Sequence, residues 1–280
     1  MLLLRLGTGH TDASQRFANR PEFDVWTWAL AAEVAAAAAA GITTWPAFRI
    51  LARATGRRAV WRAVVAWLAA GLLVIFGPRA LISGKEFLLW LLFERVTLFT
   101  IVAGIFVSPS FLGLLLAQAR LSALKQVTFR EVTEERAGRV VLELLWIRVA
   151  MQRFLVSFAV VISGAVLTAG ALRSALIADG ASAGDFPVDR ILTYGGFFTV
   201  LSALTFVPAY VAWQECVVDM RDRLLPVPEN GLPPHDWHEA RSDFDALLSA
   251  QPSAGSIFAA GFSILAPLAG SLVTTLIPTS

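Results

Sequence analysis

Of 280 residues, 56% are hydrophobic and only 16% charged, against about 45–50% and about 25% in soluble globular domains. The net charge is only +2, and the basic residues fall in short segments between apolar blocks, so the continuous basic, aromatic-interleaved face that nucleic acid requires is absent from the sequence. A single cysteine, Cys216, excludes an intrachain disulfide and a cysteine-based metal framework.

Residues 1–24 are mixed and polar and are expected to lie outside the membrane. The apolar run in MLLLRLGTGH is too short for a signal-peptide core, and no small-residue cleavage site follows it, so the segment reads as retained. The first span covers residues 25–45, VWTWALAAEVAAAAAAGITTW, with Trp26, Trp28 and Trp45 at its ends as interfacial anchors and Glu33 inside it. Pro46 is expected to close that helix. A loop carrying Arg49, Arg53, Arg57, Arg58 and Arg62 without one acid should follow on the cytoplasmic side. Residues 60–76 form a second span, stopped at Gly77-Pro78.

The stretch 87–107, FLLWLLFERVTLFTIVAGIFV, is long enough to cross a bilayer as one helix yet carries Glu94 beside Arg95. Ser108-Pro109-Ser110 predicts a kink or a short interfacial helix after it, because proline removes a helical hydrogen bond and crowds the preceding turn. Residues 120–153 hold seven basic and four acidic residues at helical spacing. They read as a cytoplasmic helix or hairpin, either a solvated connector or a surface anchor.

Spans four and five follow at 154–177 and 191–213, separated by an acidic, small-residue loop. Gly195, Gly196, Thr199 and Ala203 offer a close-packing face on span five. Prolines at 226, 228, 233 and 234 keep the next segment extended, and Asp236 with Glu239 suggests a capping box. The short helix so capped should present Trp237, Ala240, Phe244, Leu247 and Leu248 as one apolar stripe. The last span, 257–277, carries Ser263, Pro267, Ser271 and Thr275 at four-residue spacing, either as packing contacts or as pore lining.

These elements predict an all-α, multi-pass transmembrane bundle of about six spans with short cytoplasmic amphipathic helices. The divisions are 1–24 (outside), 25–118 (helices one to three), 119–153 (charged cytoplasmic helix), 154–214 (helices four and five), 215–255 (cytoplasmic Pro-rich segment and helix) and 256–280 (helix six). Cytoplasmic placement of 46–62, 119–153 and 216–255 collects 15 basic residues inside against 7 outside. Both termini are therefore expected outside the cell membrane. Arginine far outnumbers lysine and alanine is abundant, a bias associated with bacterial genomes, which suggests a bacterial inner membrane.

A polar site inside the membrane is expected from Glu33, Glu94 and Arg95, since charges in hydrocarbon are costly and mark either an interhelical lock or a polar pathway. Spans one and three should run in the same direction, with Glu33 and Arg95 about 12 Å below their outer ends. That depth allows an ion pair between them. His235, His238 and Glu239 do not form a zinc motif, and no catalytic, cofactor or metal site is expected. The partners implied are the lipid bilayer and other copies of the chain, with no nucleic acid. The leading expectation for function is a non-enzymatic, self-associating, pore-like or membrane-switch component. The alternatives are a small-solute or ion transporter and a membrane-embedded enzyme.

Overall fold

The computed structural model describes residues 16–81, 87–127, 134–182, 184, 187–228, 233–248, 265 and 269, with side-chain surroundings left out at 73–81, 87–97, 100, 126, 127, 134–136, 190 and 194. The described residues are all-helical. In chain order the helices are α1 (Pro21–Thr55), α2 (Arg57–Leu81), α3 (Phe87–Val127), α4 (Glu134–Ala178), α5 (Val188–Leu224) and α6 (His235–Leu248). Four stretches are long and apolar enough to cross a membrane: Pro21–Thr55, Ile101–Lys125, Ala137–Ala178 and Ile191–Leu224. They correspond to expected spans one, three, four and five. The second expected span lies within α2, partly where side chains are left out. The sixth lies almost wholly outside the described residues.

Helix directions follow from pairs of contacts. Ser110 Oγ donates to Thr44 Oγ1 at 3.4 Å, and Arg120 Nη1 reaches the Ala54 carbonyl at 3.4 Å. A constant offset along both helices makes α1 and α3 parallel. Against α4 both run the other way, because Glu33 packs on Gly164 while Ala47 shares a groove with Ala150 and Arg153, and because Phe111 meets Phe158 while Arg120 pairs with Glu143. Trp213 Nε1 donates to the Leu144 carbonyl and Ile191 packs in one cluster with Val166, so α5 opposes α4. The chain thus zigzags, and α1, α3 and α5 all finish at one end, which we call the charged end.

The interior is stacked in three apolar layers. Phe17, Phe23, Trp26, Leu30 and Ala175 close the far end, Ala37, Val107, Phe111, Phe158 and Phe198 fill the middle, and Leu51, Leu121, Leu144, Phe154 and Trp213 lie toward the charged end. Outside, the apolar character continues. Val149, Val156, Val160 and Leu167 on α4 and Val200, Leu204, Val207 and Val211 on α5 form exposed stripes at helical spacing. Hydrocarbon, not water, suits that surface. Charge-free windows agree with it: residues 96–119, 154–172 and 191–214 carry no Asp, Glu, Lys, Arg or His. At 1.5 Å per residue, even the shortest spans roughly 28 Å, close to a bilayer's hydrocarbon thickness.

Several sequence expectations are corrected. Pro46 does not close its helix; α1 runs through it to Thr55 and stops at Gly56, whose φ of 83° is costly for any residue with a Cβ. The five arginines therefore lie on two helices joined by one residue, not on a loop. Pro109 likewise lies inside continuous α3, and most of the expected cytoplasmic helix is split between the ends of α3 and α4. Trp26 is 1% exposed and belongs to the interior, whereas Trp28 is 65% exposed; residues two apart on a helix point some 200° apart, so both could not occupy the rim.

Packing between α1 and α3 is closest at Gly41. A Cβ there would lie 2.6 Å from the Phe106 carbonyl oxygen, a backbone atom that cannot swing aside, whereas a Cβ at Gly104 meets nothing within 4 Å. Gly41→Ala is expected to lose about 1–3 kcal/mol of stability. Gly104→Ala should be neutral or gain up to about 1 kcal/mol. Unfolding of the detergent-solubilised protein, compared between the two variants, checks the difference.

Candidate functional site

Glu33 is the one acid in the window 25–48 of α1, and the fold buries it, leaving 8% exposed. Its side chain lies against α4, where Gly164 leaves room: a Cβ on that glycine would touch the Glu33 Cγ at 3.6 Å. Small residues on α4 thus make the space that a long acidic side chain needs between two helices. Glu33 stands between the far-end layer and the middle layer, near Leu30 of the former and Ala37 of the latter.

The Thr168 hydroxyl is the polar group beside the carboxyl. Its behaviour differs from that of the other threonines whose side chains are described. Thr27, Thr43, Thr44, Thr55, Thr193, Thr199 and Thr205 each donate to a carbonyl three or four residues back. Thr168 makes no such bond, although it is 93% removed from solvent at 7% exposure. Ser163, adjacent to Gly164, also has a buried hydroxyl without a closed hydrogen bond. Unmade hydrogen bonds in an apolar interior cost about 1–3 kcal/mol each. A carboxyl beside such a hydroxyl can hold a proton, a water molecule or a small cation.

The structure treats the remaining expected site residues differently. Glu94 and Arg95 lie on α3, but their side chains are outside the described ones. From the offset between α1 and α3, Glu33 is level with Leu98 and Phe99, so Arg95 is about one turn, roughly 5 Å, further toward the far end. Ser263, Pro267, Ser271 and Thr275 lie outside the described residues. His235, His238 and Glu239 are exposed at the start of α6, and no cluster of metal-ligating side chains occurs among the described residues.

A second polar constellation, not read from the sequence, ties the charged end together. Arg120 on α3 grips Glu143 on α4 with two bonds of 2.6 and 3.1 Å. Lys125 bridges to Glu215 at 3.0 Å and approaches Asp219 at 3.9 Å on α5. The short helix α6 is docked beneath: Arg221 binds both oxygens of Asp245, at 3.3 and 3.0 Å, and Arg148 donates to the Leu248 carbonyl at 3.1 Å. Arg241 pairs with Asp222 and lies over the Trp237 ring, 4.5 Å from its centroid. The expected stripe on α6 is therefore half right. Phe244 and Leu248 pack inward, but Asp245 is 8% exposed and Leu247 is 58% exposed, because a guanidinium from α5 recruits the acid. The capping box is absent too: α6 begins at His235, which puts Asp236 inside its first turn, and the Trp237 amide bonds to the Pro234 carbonyl.

No protein family, curated protein or solved structure matches this chain.

The ion pairs that join α3 to α4 and α3 to α5 differ in screening. Arg120 and Glu143 side chains are 27% and 28% exposed, Lys125 and Glu215 47% and 54%. Double-mutant cycles to alanine should give a coupling of about 1–3 kcal/mol for the first pair. For the second the coupling should stay below about 1 kcal/mol and fall further in high salt. Equal couplings would contradict this ranking.

Proposed function

We propose that this chain is a multi-pass protein of the cytoplasmic membrane, with the charged end inside, and that it acts as a non-enzymatic, self-associating, pore-like or membrane-switch component. The observation that carries the reading is Glu33, a carboxyl buried between α1 and α4 within an apolar bundle, beside a threonine that forgoes its usual helical bond. Acids in such a position are expensive in hydrocarbon and are retained where charge or protons must be handled. Orientation is supported by the excess of basic residues at the charged end, where Arg49, Arg53, Arg57, Arg58 and Arg62 gather on either side of Gly56.

In this reading Arg95 is the counter-charge of Glu33, and Glu94, some 100° around the helix, faces a separate partner or a wet cavity. The parallel run of α1 and α3 supports that pairing by placing Arg95 within a turn of the required level. A solute transporter is the second reading, and it calls for helices broken at mid-membrane. Prolines 46, 109 and 208 lie inside α1, α3 and α5 without ending them, which favours the first reading. A membrane enzyme would need a nucleophile or carboxylate pair, and Glu33 offers neither alone.

Purified protein in liposomes tests the proposal. Wild-type protein is expected to dissipate an imposed ion or proton gradient without saturable substrate, and Glu33→Gln to change that rate at unchanged fold. Absence of flux in both would reject the conduit, and saturable, substrate-coupled flux would replace it with a transporter. For the ion pair, Glu33→Gln combined with Arg95→Gln should destabilise less than the sum of the single changes. Strict additivity would eliminate the pair.

A further inference from the structure

Arg153 is one of the charged residues that the described network at the charged end leaves out. It is exposed on α4, on the same flank as the apolar residues Val149, Val156 and Val160, and it makes no ion pair or hydrogen bond among the described residues. Its neighbours Gln152 and Ser157 make none either. All three line a groove of about 570 Å³ between α1 and α4, closed on the α1 side by Thr43. Arg153 also forms the wall of a second groove, of about 350 Å³, whose apolar lining includes Trp146 and Ala47.

Depth distinguishes Arg153 from the paired cations. It sits beside Ala47 of α1, whereas Arg120 reaches Ala54, seven residues and roughly 10 Å further toward the charged end. Arg153 ends the charge-free window 154–172 of α4, and on the membrane placement proposed above its long side chain reaches toward the charged-end headgroups. Exposed Trp45 on α1 marks the same level. A guanidinium there, on a lipid-facing flank and without a protein anion, needs an anion from its surroundings.

We infer that Arg153, Gln152 and Ser157 form a binding site for an anionic phospholipid of the charged-end leaflet. The guanidinium takes the phosphate in a bidentate grip, while the Gln152 amide and the Ser157 hydroxyl donate to phosphate or glycerol-ester oxygens. One acyl chain then follows the groove over Val156 toward Val160. The site rests on the membrane placement proposed above and not on any conduit at Glu33.

The full-length protein in a neutral detergent is titrated with phosphatidylglycerol, with phosphatidylcholine, and separately with inorganic phosphate, and thermal unfolding and retained lipid by native mass spectrometry are read. Phosphatidylglycerol is expected to saturate and stabilise at concentrations at which phosphatidylcholine does not, with inorganic phosphate inert. Arg153→Gln should weaken phosphatidylglycerol binding about tenfold or more. Arg58→Gln, which removes another exposed charge, beside Gly56, should leave it unchanged. Because Arg153 makes no ion pair or hydrogen bond among the described residues, its variant should remain folded by size exclusion. Equal weakening by both variants would reduce the effect to general charge attraction and overturn the site. Unchanged binding in Arg153→Gln, or stabilisation by inorganic phosphate through Arg153, would overturn it too. Such failure in a protein that still reconstitutes into liposomes would leave the membrane placement standing.

Discussion

The contact on which this bundle depends is the seam between α1 and α3, where two backbones approach until only glycine fits. In water, helices associate by hiding apolar surface; in hydrocarbon that drive vanishes, and close van der Waals contact with a few interhelical hydrogen bonds must replace it. Gly41 against the Phe106 carbonyl and Thr44 against Ser110 supply both at one place. Against this parallel pair packs a third helix that runs in the opposite sense. That third helix is α4, which touches α1 through Gly164 and α3 through the Phe154 ring that fills the space above Gly113.

Polar chemistry is distributed by depth along this frame. At the charged end, side chains reach water, and the ion pairs that join α3, α4, α5 and α6 hold ends that apolar packing alone would leave free to fray. Further in, polar groups are few and their partners are backbone carbonyls, as for seven of the described threonines. Glu33, Thr168 and Ser163 break that rule near one level. Arg153 breaks it at another, on the outside of the same pair of helices. The first exception points inward to the bundle and the second outward onto its exposed apolar surface, so the α1 and α4 pair carries both.

Much of the fold was legible in composition. Windows of apolar residues and the charges that bracket them located four of the spans, since hydrocarbon tolerates a bare backbone only in a helix. Helix ends were less legible. Pro46 and Pro109 looked like stops because that is what proline does in water, yet inside a packed bundle neighbouring helices hold the chain in helical form, and a positive φ at Gly56 makes the turn. Trp26 resembled Trp28 in sequence and differs in structure only through its helical phase. The ion pairs that join helices at the charged end were invisible because their partners lie between 19 residues apart, for Arg241 and Asp222, and 94, for Lys125 and Asp219, and nothing in local spacing announces Asp245 as the residue that faces Arg221. Of the candidate site, the unusual cost of Glu33 could be read from the sequence. The hydroxyl beside it could not, because Thr168 becomes exceptional only when its missing backbone bond is seen.

The parallel seam is tested most directly by disulfide trapping in native membranes. On a Cys216→Ala background, Thr44→Cys is paired with Ser110→Cys in one variant and with Ala103→Cys in another, and oxidised peptides are identified by mass spectrometry. The account predicts rapid cross-linking of positions 44 and 110 and little between 44 and 103. An antiparallel crossing at Gly41 would bring Thr44 opposite Ala103 instead, and efficient trapping of that second pair would contradict the arrangement on which every later inference rests.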